Sequence, residues 1–362
     1  MNIFFISYSN IEYDGRTQEL LKIAQSLGSV SGIVVGNGTR LDTRNVCQYK
    51  PNNGFSDFVK CTIDLYHKQN HVDCIFVDNR RATVPANLLY IIFHPAKVIY
   101  DMRELYIAKE IKHLSGKIGC IPEMFMVRHA DIVICANKER TEYVKSKFKP
   151  KQVITYENLR RLEYSNNAKT EVINEKYKSI FKKCSFKIIS TSGTSRSRGN
   201  DKLILALKKI NTPVDVYLVG AEEVPGDNNY INRIIKENDL SNVHLLGRVN
   251  HDELKWLIDH CDCGVVNYHS KDINNKFCAS GKLYEFLFEG KPVITTSNPP
   301  LKNMTEKYGI GCSGEDYVSL IQDMIENHSK YERNLIKYIE TISVKKSNMV
   351  LINHLKDLVN NK

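Results

Sequence analysis

The stretch from Phe277 to Val293 reads Phe-Cys-Ala-Ser-Gly-Lys-Leu-Tyr-Glu-Phe-Leu-Phe-Glu-Gly-Lys-Pro-Val and holds the residues best spaced to bind an anion. If a helix begins near Ser280, its free backbone N–H groups and the positive end of its dipole make an anion site. Small Ser280 and Gly281 let a phosphate approach the backbone, and Lys282 adds a charge. Leu283, Phe286 and Leu287 then fall on a buried stripe, while Lys282, Glu285 and Glu289 share the other face. Glu285 lies one turn below the phosphates, where a carboxylate can accept both hydroxyls of a ribose. Gly290 stops the helix and Pro292 opens the next strand. The same spacing also describes a surface helix with a Lys–Glu pair worth on the order of a few tenths of a kcal/mol. Spacing alone leaves both readings open.

Other chemistry-bearing clusters are weaker. His260, Cys261, Cys263 and His269 contain metal-ligand types, but strand alternation sends neighbours to opposite faces, so no metal is expected. Nucleophile-elbow, P-loop and zinc-protease patterns do not occur, and Gly193 alone makes no dinucleotide fingerprint. The formal net charge of +10 suits an acidic partner such as a nucleotide or an anionic membrane surface. From Lys138 to Lys151 the chain concentrates Lys138, Arg140, Lys145, Lys147, Lys149 and Lys151 against Glu139 and Glu142. That run is either a solvated helix end or a contact for an anionic membrane. No interleaving of aromatic and basic residues supports nucleic acid.

The elements that must position these residues alternate strand and helix, which predicts parallel sheets covered on both faces. Strand-like runs fall at 3–7, 30–35, 74–77, 96–100, 132–136 and 152–155. A helix over 17–27 places Leu20, Leu21, Ala24 and Leu27 on one stripe. Around 160–182 the composition turns polar, the mark of a linker. The pattern restarts with strands at 186–190, 214–219, 243–246, 263–266 and 292–295, and helices at 201–209, 229–237, 251–260 and 282–289. The expected division is 1–165, 166–340 and an amphipathic C-terminal helix at 341–362 packing back toward the first domain. Met349, Val350, Ile352, Leu355, Leu358 and Val359 form that helix's apolar face. Its 362 residues suit two cores, with 42% hydrophobic and 25% charged content typical of a globular chain. The start, Met1 to Ser7, reads as a first strand. No stretch approaches the roughly 20 apolar residues of a membrane span. Ten cysteines lack a framework spacing, and Cys74, Cys135 and Cys184 sit in or beside apolar runs, so reduced structural thiols and a cytoplasmic setting are expected.

The Lys282-Leu283-Tyr284-Glu285 and Gly290-Lys291-Pro292-Val293 pieces resemble the nucleotide-sugar signature of family 4 glycosyltransferases of the GT-B fold, polysaccharide-assembling members in particular. The resemblance extends over most of the chain. Val98 through Leu105 resembles the strand-end motif that lines the cleft from the N-terminal domain, and Glu123 through Ile134 the helix and strand after it. Tyr217-Leu218-Val219-Gly220 and His244 through Val249 resemble two C-domain strands whose loops cradle sugar and base. The resemblance implies an α/β protein of two Rossmann-like, doubly wound domains facing across a cleft. It implies that the first domain presents the acceptor and that the second binds the donor, contacting it through Gly247, Arg248 and Val249.

In this family a basic pair in the first C-domain loop stabilises the departing phosphate, so no metal or other cofactor is implied. Here that loop is Thr191 through Asn200. Arg198 matches the family's basic residue before glycine. Thr194 stands where its partner belongs, which leaves Arg196 as the substitute. The family's paired glutamates place the first at position 277, where this chain has Phe277; Asp272, Asn274 and Lys276 are the nearby polar replacements. An expected histidine is Arg103, beside Glu104 on the cleft and acceptor side. Asp14-Gly15-Arg16 occupies the place of the glycine-rich acceptor loop, so Gly15 and Arg16 stand to meet donor phosphate or an anionic acceptor, or simply to cap a helix.

The expected activity is transfer of a sugar from a nucleotide-sugar donor to a hydroxyl of a glycan or lipid-linked glycan, with retention at the anomeric carbon. The leaving phosphate is held by Arg198, Lys282 and Arg196, and no catalytic base is assigned. The enzyme is expected in the cytoplasm, peripheral on the inner face of the membrane. A nucleotide-sugar epimerase of the same fold and a non-catalytic sugar-nucleotide-binding subunit are the rival readings. A nicotinamide dehydrogenase lacks its glycine fingerprint after the first strand.

Overall fold

A computed structural model describes residues 1–37, 45–50, 54–165, 170–181, 184–221 and 225–360. The chain forms two compact units, 1–158 joined by 344–362, and 159–343.

The first unit is built on β1 (Asn2–Asn10), β2 (Ser29–Val35), β3 (Val46–Tyr49), β4 (Cys74–Asp78), β5 (Lys97–Met102), β6 (Ile132–Cys135) and β7 (Val153–Thr155). They lie in the order β3-β2-β1-β4-β5-β6-β7, with every pairing parallel. Apolar runs such as Ile3-Phe4-Phe5-Ile6 and Cys74-Ile75-Phe76-Val77 are buried on both sides, as a covered parallel sheet demands. Strand order reverses at β1, so the crevice beyond the carboxyl ends of β1 and β4 is the switch point where α/β sheets place ligands. Right-handed crossovers then put the helices Thr83–Phe93, Cys120–His129 and Lys138–Phe148 on one face and Gly15–Leu27 on the other.

The second unit contains β8 (Phe186–Ser190), β9 (Val214–Val219), β10 (Val243–Leu246), β11 (Cys263–Val266), β12 (Val293–Thr295) and β13 (Gly311–Ser313), ordered β10-β9-β8-β11-β12-β13. This sheet is also parallel throughout, and its switch point lies between β8 and β11. Two apolar clusters cover its faces, one around Trp256 and Phe286, the other around Ile204, Ile231 and Ile321.

Several expectations need correction. β3 and β13 have no counterpart in the sequence reading, being edge strands of four and three residues. The polar stretch after 160 is only partly a linker. Leu159 and Leu162 pack in the second unit's core, and Thr170–Tyr177 is a helix that buries Ile173 and Tyr177. Residues 166–169 and 182–183 of that stretch lie outside the described residues. The terminal helix Val344–Asn360 belongs to the first unit, packs on Gly15–Leu27 and buries Leu351 and Leu355. Met349 and Val350, expected on its apolar face, are exposed, while the Val359 side chain is outside the described residues. Cys74 and Cys135 are buried, but Cys184 is exposed because it precedes β8 instead of entering it.

Candidate functional site

The helix that carries the signature starts where the sequence places it. Ser280 has extended backbone angles and caps Gly281–Phe288, its Oγ accepting from the Leu283 N–H at 3.4 Å. Gly264 on β11 lets this helix lie close, since a Cβ there would collide with the Phe286 ring. One expectation fails at this helix. Leu283, Tyr284, Glu285, Phe286 and Leu287 are all buried, so Glu285 does not share an open face with Lys282. Leu159 and Leu162 belong to the same large apolar cluster as Leu283 and Tyr284.

Glu285 is therefore a buried carboxylate, and Arg160 reaches it, Nε to Oε1 2.9 Å. The carboxylate is 4% exposed and the guanidinium 38%. Arg161 lies beside it, 5.8 Å from the Phe288 ring. The sequence reading missed Arg160 because it sits in a stretch that looked like a linker. The available signal was an arginine doublet flanked by Leu159 and Leu162.

Two cations stand at the switch point itself. Lys282 Nζ donates to the Thr191 carbonyl, just past β8. Arg198 Nη1 donates to the Asn267 carbonyl, just past β11, at 3.3 Å, with its guanidinium 4.1 Å from the centre of the Tyr268 ring. No carboxylate among the described residues pairs with Arg198. Arg196 differs: its Nε lies 3.0 Å from Asp227 Oδ1, its backbone N–H donates to Oδ2 of the same residue, and it stacks on Tyr230. Asp227 thus draws Arg196 toward the helix Pro225–Glu237.

The loop carrying both arginines is held from below. Gly193 takes a left-handed φ of 61° and passes so near the Gly220 carbonyl that no side chain fits. Thr194 Oγ1 donates to the Ala221 carbonyl at 2.8 Å, and the Ala221 N–H to Leu246. Asn200 ties Ser190 and Ser192 together and accepts from Asn267. Within this buried network Thr191 Oγ1 and Asn267 Oδ1 find no hydrogen-bond partner. Buried polar atoms are ordinarily satisfied, so two unsatisfied ones in one network are unusual. Gly247 and Val249 follow β10 at the sheet's edge, where the Gly220 N–H donates to the Gly247 carbonyl at 3.2 Å; Arg248 is exposed. Asp272, a proposed replacement for the missing glutamate, is engaged by the Asn275 backbone and side-chain amides.

In the first unit the sequence-selected residues serve each other. Asp14 caps the helix that begins with Gly15, accepting from the Thr17 N–H at 3.1 Å. Arg16 grips Asp101 with Nε to Oδ2 at 2.8 Å and Nη2 to Oδ1 at 2.6 Å, and also donates to the Tyr156 carbonyl. Burial opposes its charge, but Asp101 outweighs that and raises its pKa. Arg103 binds Asp78 at 2.6 Å, Asp14 and the Thr17 hydroxyl. Burial pushes Asp78 upward against the pull of Arg103. At Asp14 burial is outweighed by Arg103 and the Thr17 N–H, which hold it below the usual carboxylate range. This lattice fills the first unit's switch point, so Arg16 and Arg103 are not free cations there. Glu104 is 3.7 Å from Arg140, which is buried and thereby removed from the basic run.

Two units of doubly wound parallel sheet define the GT-B class of α/β proteins, and similar solved structures share that fold. Residues 172–341, which lie within the second unit, match the family model described as glycosyl transferases group 1. Sucrose-phosphate synthase from Thermosynechococcus elongatus is similar over 100% of both chains, with TM-score 0.76 and 13% identity. HepE (Alr3699) from Anabaena, solved in complex with UDP-glucose, has TM-score 0.74 and 18% identity over 99% of this chain and 100% of its own. WaaG, a glycosyltransferase involved in lipopolysaccharide biosynthesis, has TM-score 0.68 and 12% identity over 100% of both chains. No curated protein matches the chain in sequence.

Proposed function

We propose that this chain transfers a sugar from a nucleotide-sugar donor to a hydroxyl of a glycan or lipid-linked glycan acceptor, with the second unit holding the donor. The observation that carries the reading is the placement of Arg198 and Lys282 at the ends of adjacent strands β8 and β11, beside the Ser280-capped helix start. Departure of a nucleoside diphosphate builds negative charge on its outer phosphate, and fixed cations with a helix-end dipole stabilise that charge without reorganising. Ser280 and Gly281 bring the backbone to the phosphates, and the buried Glu285 carboxylate takes the ribose hydroxyls. Arg198 and Lys282 supply the charge a metal would otherwise bring, which supports a metal-independent transfer. Arg196 is already neutralised by Asp227 and plays the lesser part. Gly247, Arg248 and Val249 line the donor side at β10. Retention at the anomeric carbon follows from the departing phosphate assisting the incoming hydroxyl on the face it leaves.

In this reading the acceptor belongs with the first unit, at an anionic membrane surface on the cytoplasmic face. Within the basic run Lys138 pairs with Glu142 and Lys151 with Asp131, leaving the exposed Lys145, Lys147 and Lys149 to attract such a surface. HepE was solved with UDP-glucose, which makes that donor the first probe. A thermal-shift screen of nucleotide sugars, followed by transfer assays with and without EDTA, tests the proposal. A stabilising donor whose sugar passes to an added glycan extract supports it. An epimerised sugar formed without acceptor, or binding with no transfer to any extract, overturns it.

A further inference from the structure

Fourteen large apolar residues are exposed among the described ones, and seven of them fall between Leu88 and Ile121. They are Leu88, Ile91, Ile92, Tyr106, Leu114, Ile118 and Ile121. Three define a stripe. Leu114–Ile118 is a short helix, Gly119 keeps right-handed helical angles, and Cys120–His129 continues. Leu114, Ile118 and Ile121 therefore recur at intervals of four and three residues along one nearly continuous helix, on a single face. They are 72%, 54% and 68% exposed. Phe125 extends the stripe by one more turn, where its ring meets Tyr90 at 6.0 Å. Tyr90 belongs to the helix Thr83–Phe93, which packs against Cys120–His129.

The stripe is held firmly in place. Arg80 donates to the Gly119 carbonyl at 3.1 Å and to the Gly116 carbonyl at 2.5 Å. Monomeric proteins rarely leave such a patch uncovered. Its surroundings select the cover. Lys109, Lys112 and Lys117 are all exposed on the same segment, with Glu110 their one acidic neighbour there. Lysine stems lie along apolar surface while their ammonium groups reach outward to phosphate depth. A second copy seated symmetrically on this face would set lysines against lysines. The helix Lys138–Phe148, with exposed Lys145, Lys147 and Lys149, packs against Cys120–His129 and adds to the same field.

We infer that the Leu114–Ile118–Ile121 stripe is a foothold that enters the boundary layer of an anionic lipid bilayer, with Lys109, Lys112 and Lys117 on its headgroups. This deepens the membrane placement proposed above, in which only the basic run was engaged. Apolar side chains hold at short range, and basic residues attract from a distance.

The test is co-sedimentation of the full chain with vesicles of phosphatidylcholine alone and of phosphatidylcholine mixed equally with phosphatidylglycerol. The native protein is expected to bind the mixed vesicles and release them in high salt. Replacing all three, Leu114→Ser, Ile118→Ser and Ile121→Ser, is expected to weaken binding about tenfold or more. All three side chains are exposed, so folding and nucleotide affinity should be unchanged. Binding retained by this variant overturns the foothold, as does failure of the native protein to bind mixed vesicles. So does a native dimer that the variant converts to a monomer. If Lys145→Gln, Lys147→Gln and Lys149→Gln together abolish binding while the serine variant keeps it, the basic run alone is the contact. None of these outcomes bears on donor binding, which is read separately by calorimetry.

Discussion

Arg160 and Glu285 form an ion pair in which the carboxylate is buried and the guanidinium, 2.9 Å away at Nε, reaches toward solvent. Arg160 opens the second unit and Glu285 lies more than a hundred residues later, so the site exists only once that unit has folded. The pairing also fixes the carboxylate's rotamer before any ligand arrives, which lowers the ordering cost of binding.

Replacing Glu285 by alanine is expected to weaken nucleotide affinity more than about tenfold, the loss of a charged hydrogen-bond acceptor being worth roughly 1.5–3 kcal/mol. Isothermal calorimetry with the nucleoside diphosphate measures it. Unchanged affinity would end the ribose assignment.

Arg198 and Arg196 are two residues apart but make different contacts, and they should behave differently. Arg198→Ala removes a cation that no described carboxylate neutralises, and kcat/KM should fall roughly tenfold to a hundredfold. Arg196→Ala breaks a partly exposed pair with Asp227, so its effect on turnover should be several times smaller. Equal losses in steady-state kinetics would mean that both arginines reach the leaving phosphate.

Arg103 serves stability. Arg103→Met removes the shared partner of Asp78 and Asp14, leaving the buried Asp78 carboxylate without its counter-charge. Breaking a buried pair on one side costs about 3–5 kcal/mol, so urea unfolding should shift to markedly lower concentration. A midpoint close to that of the native protein would show that the first unit's charge lattice is not structural.

The sequence made the parallel sheets legible wherever strands were central, because strands buried on both faces read as unbroken apolar runs. It was silent on β3 and β13, where a short edge strand needs only one good neighbour. The start of the Gly281–Phe288 helix was readable from Ser280 and Gly281, since capping is local chemistry. The burial of Glu285 was not, because its ion-pair partner is Arg160, more than a hundred residues earlier. For the same reason Arg16 and Arg103 looked like available cations. Asp101, the partner of Arg16, and Asp78, a partner of Arg103, lie on β5 and β4, and which strands become neighbours is decided by the sheet order. Isolated charges in a sequence say little about whether they are paired in the fold.

Glu123 gives the molecule a pH dependence that can be assigned to one residue. Its carboxyl is buried under Arg80 and accepts from the Tyr100 hydroxyl at 2.8 Å. Burial raises its pKa to about 7, against the opposing pull of the Tyr100 hydroxyl and Arg80. An unfolded glutamate titrates near 4.5. Between these values the folded state holds a proton that the unfolded chain has released, so stability falls as pH rises through that window. Stability is greatest below the unfolded value, and the loss is complete above the folded one, amounting to about 3 kcal/mol at 1.36 kcal/mol per unit. Glu123→Gln keeps an acceptor for Tyr100 but cannot ionise, so its stability should decline less over this range. Urea midpoints of the two proteins measured between acid and neutral pH give the difference. Parallel curves would show that the Glu123 carboxyl is ionised in the folded state throughout, with Arg80 holding its charge.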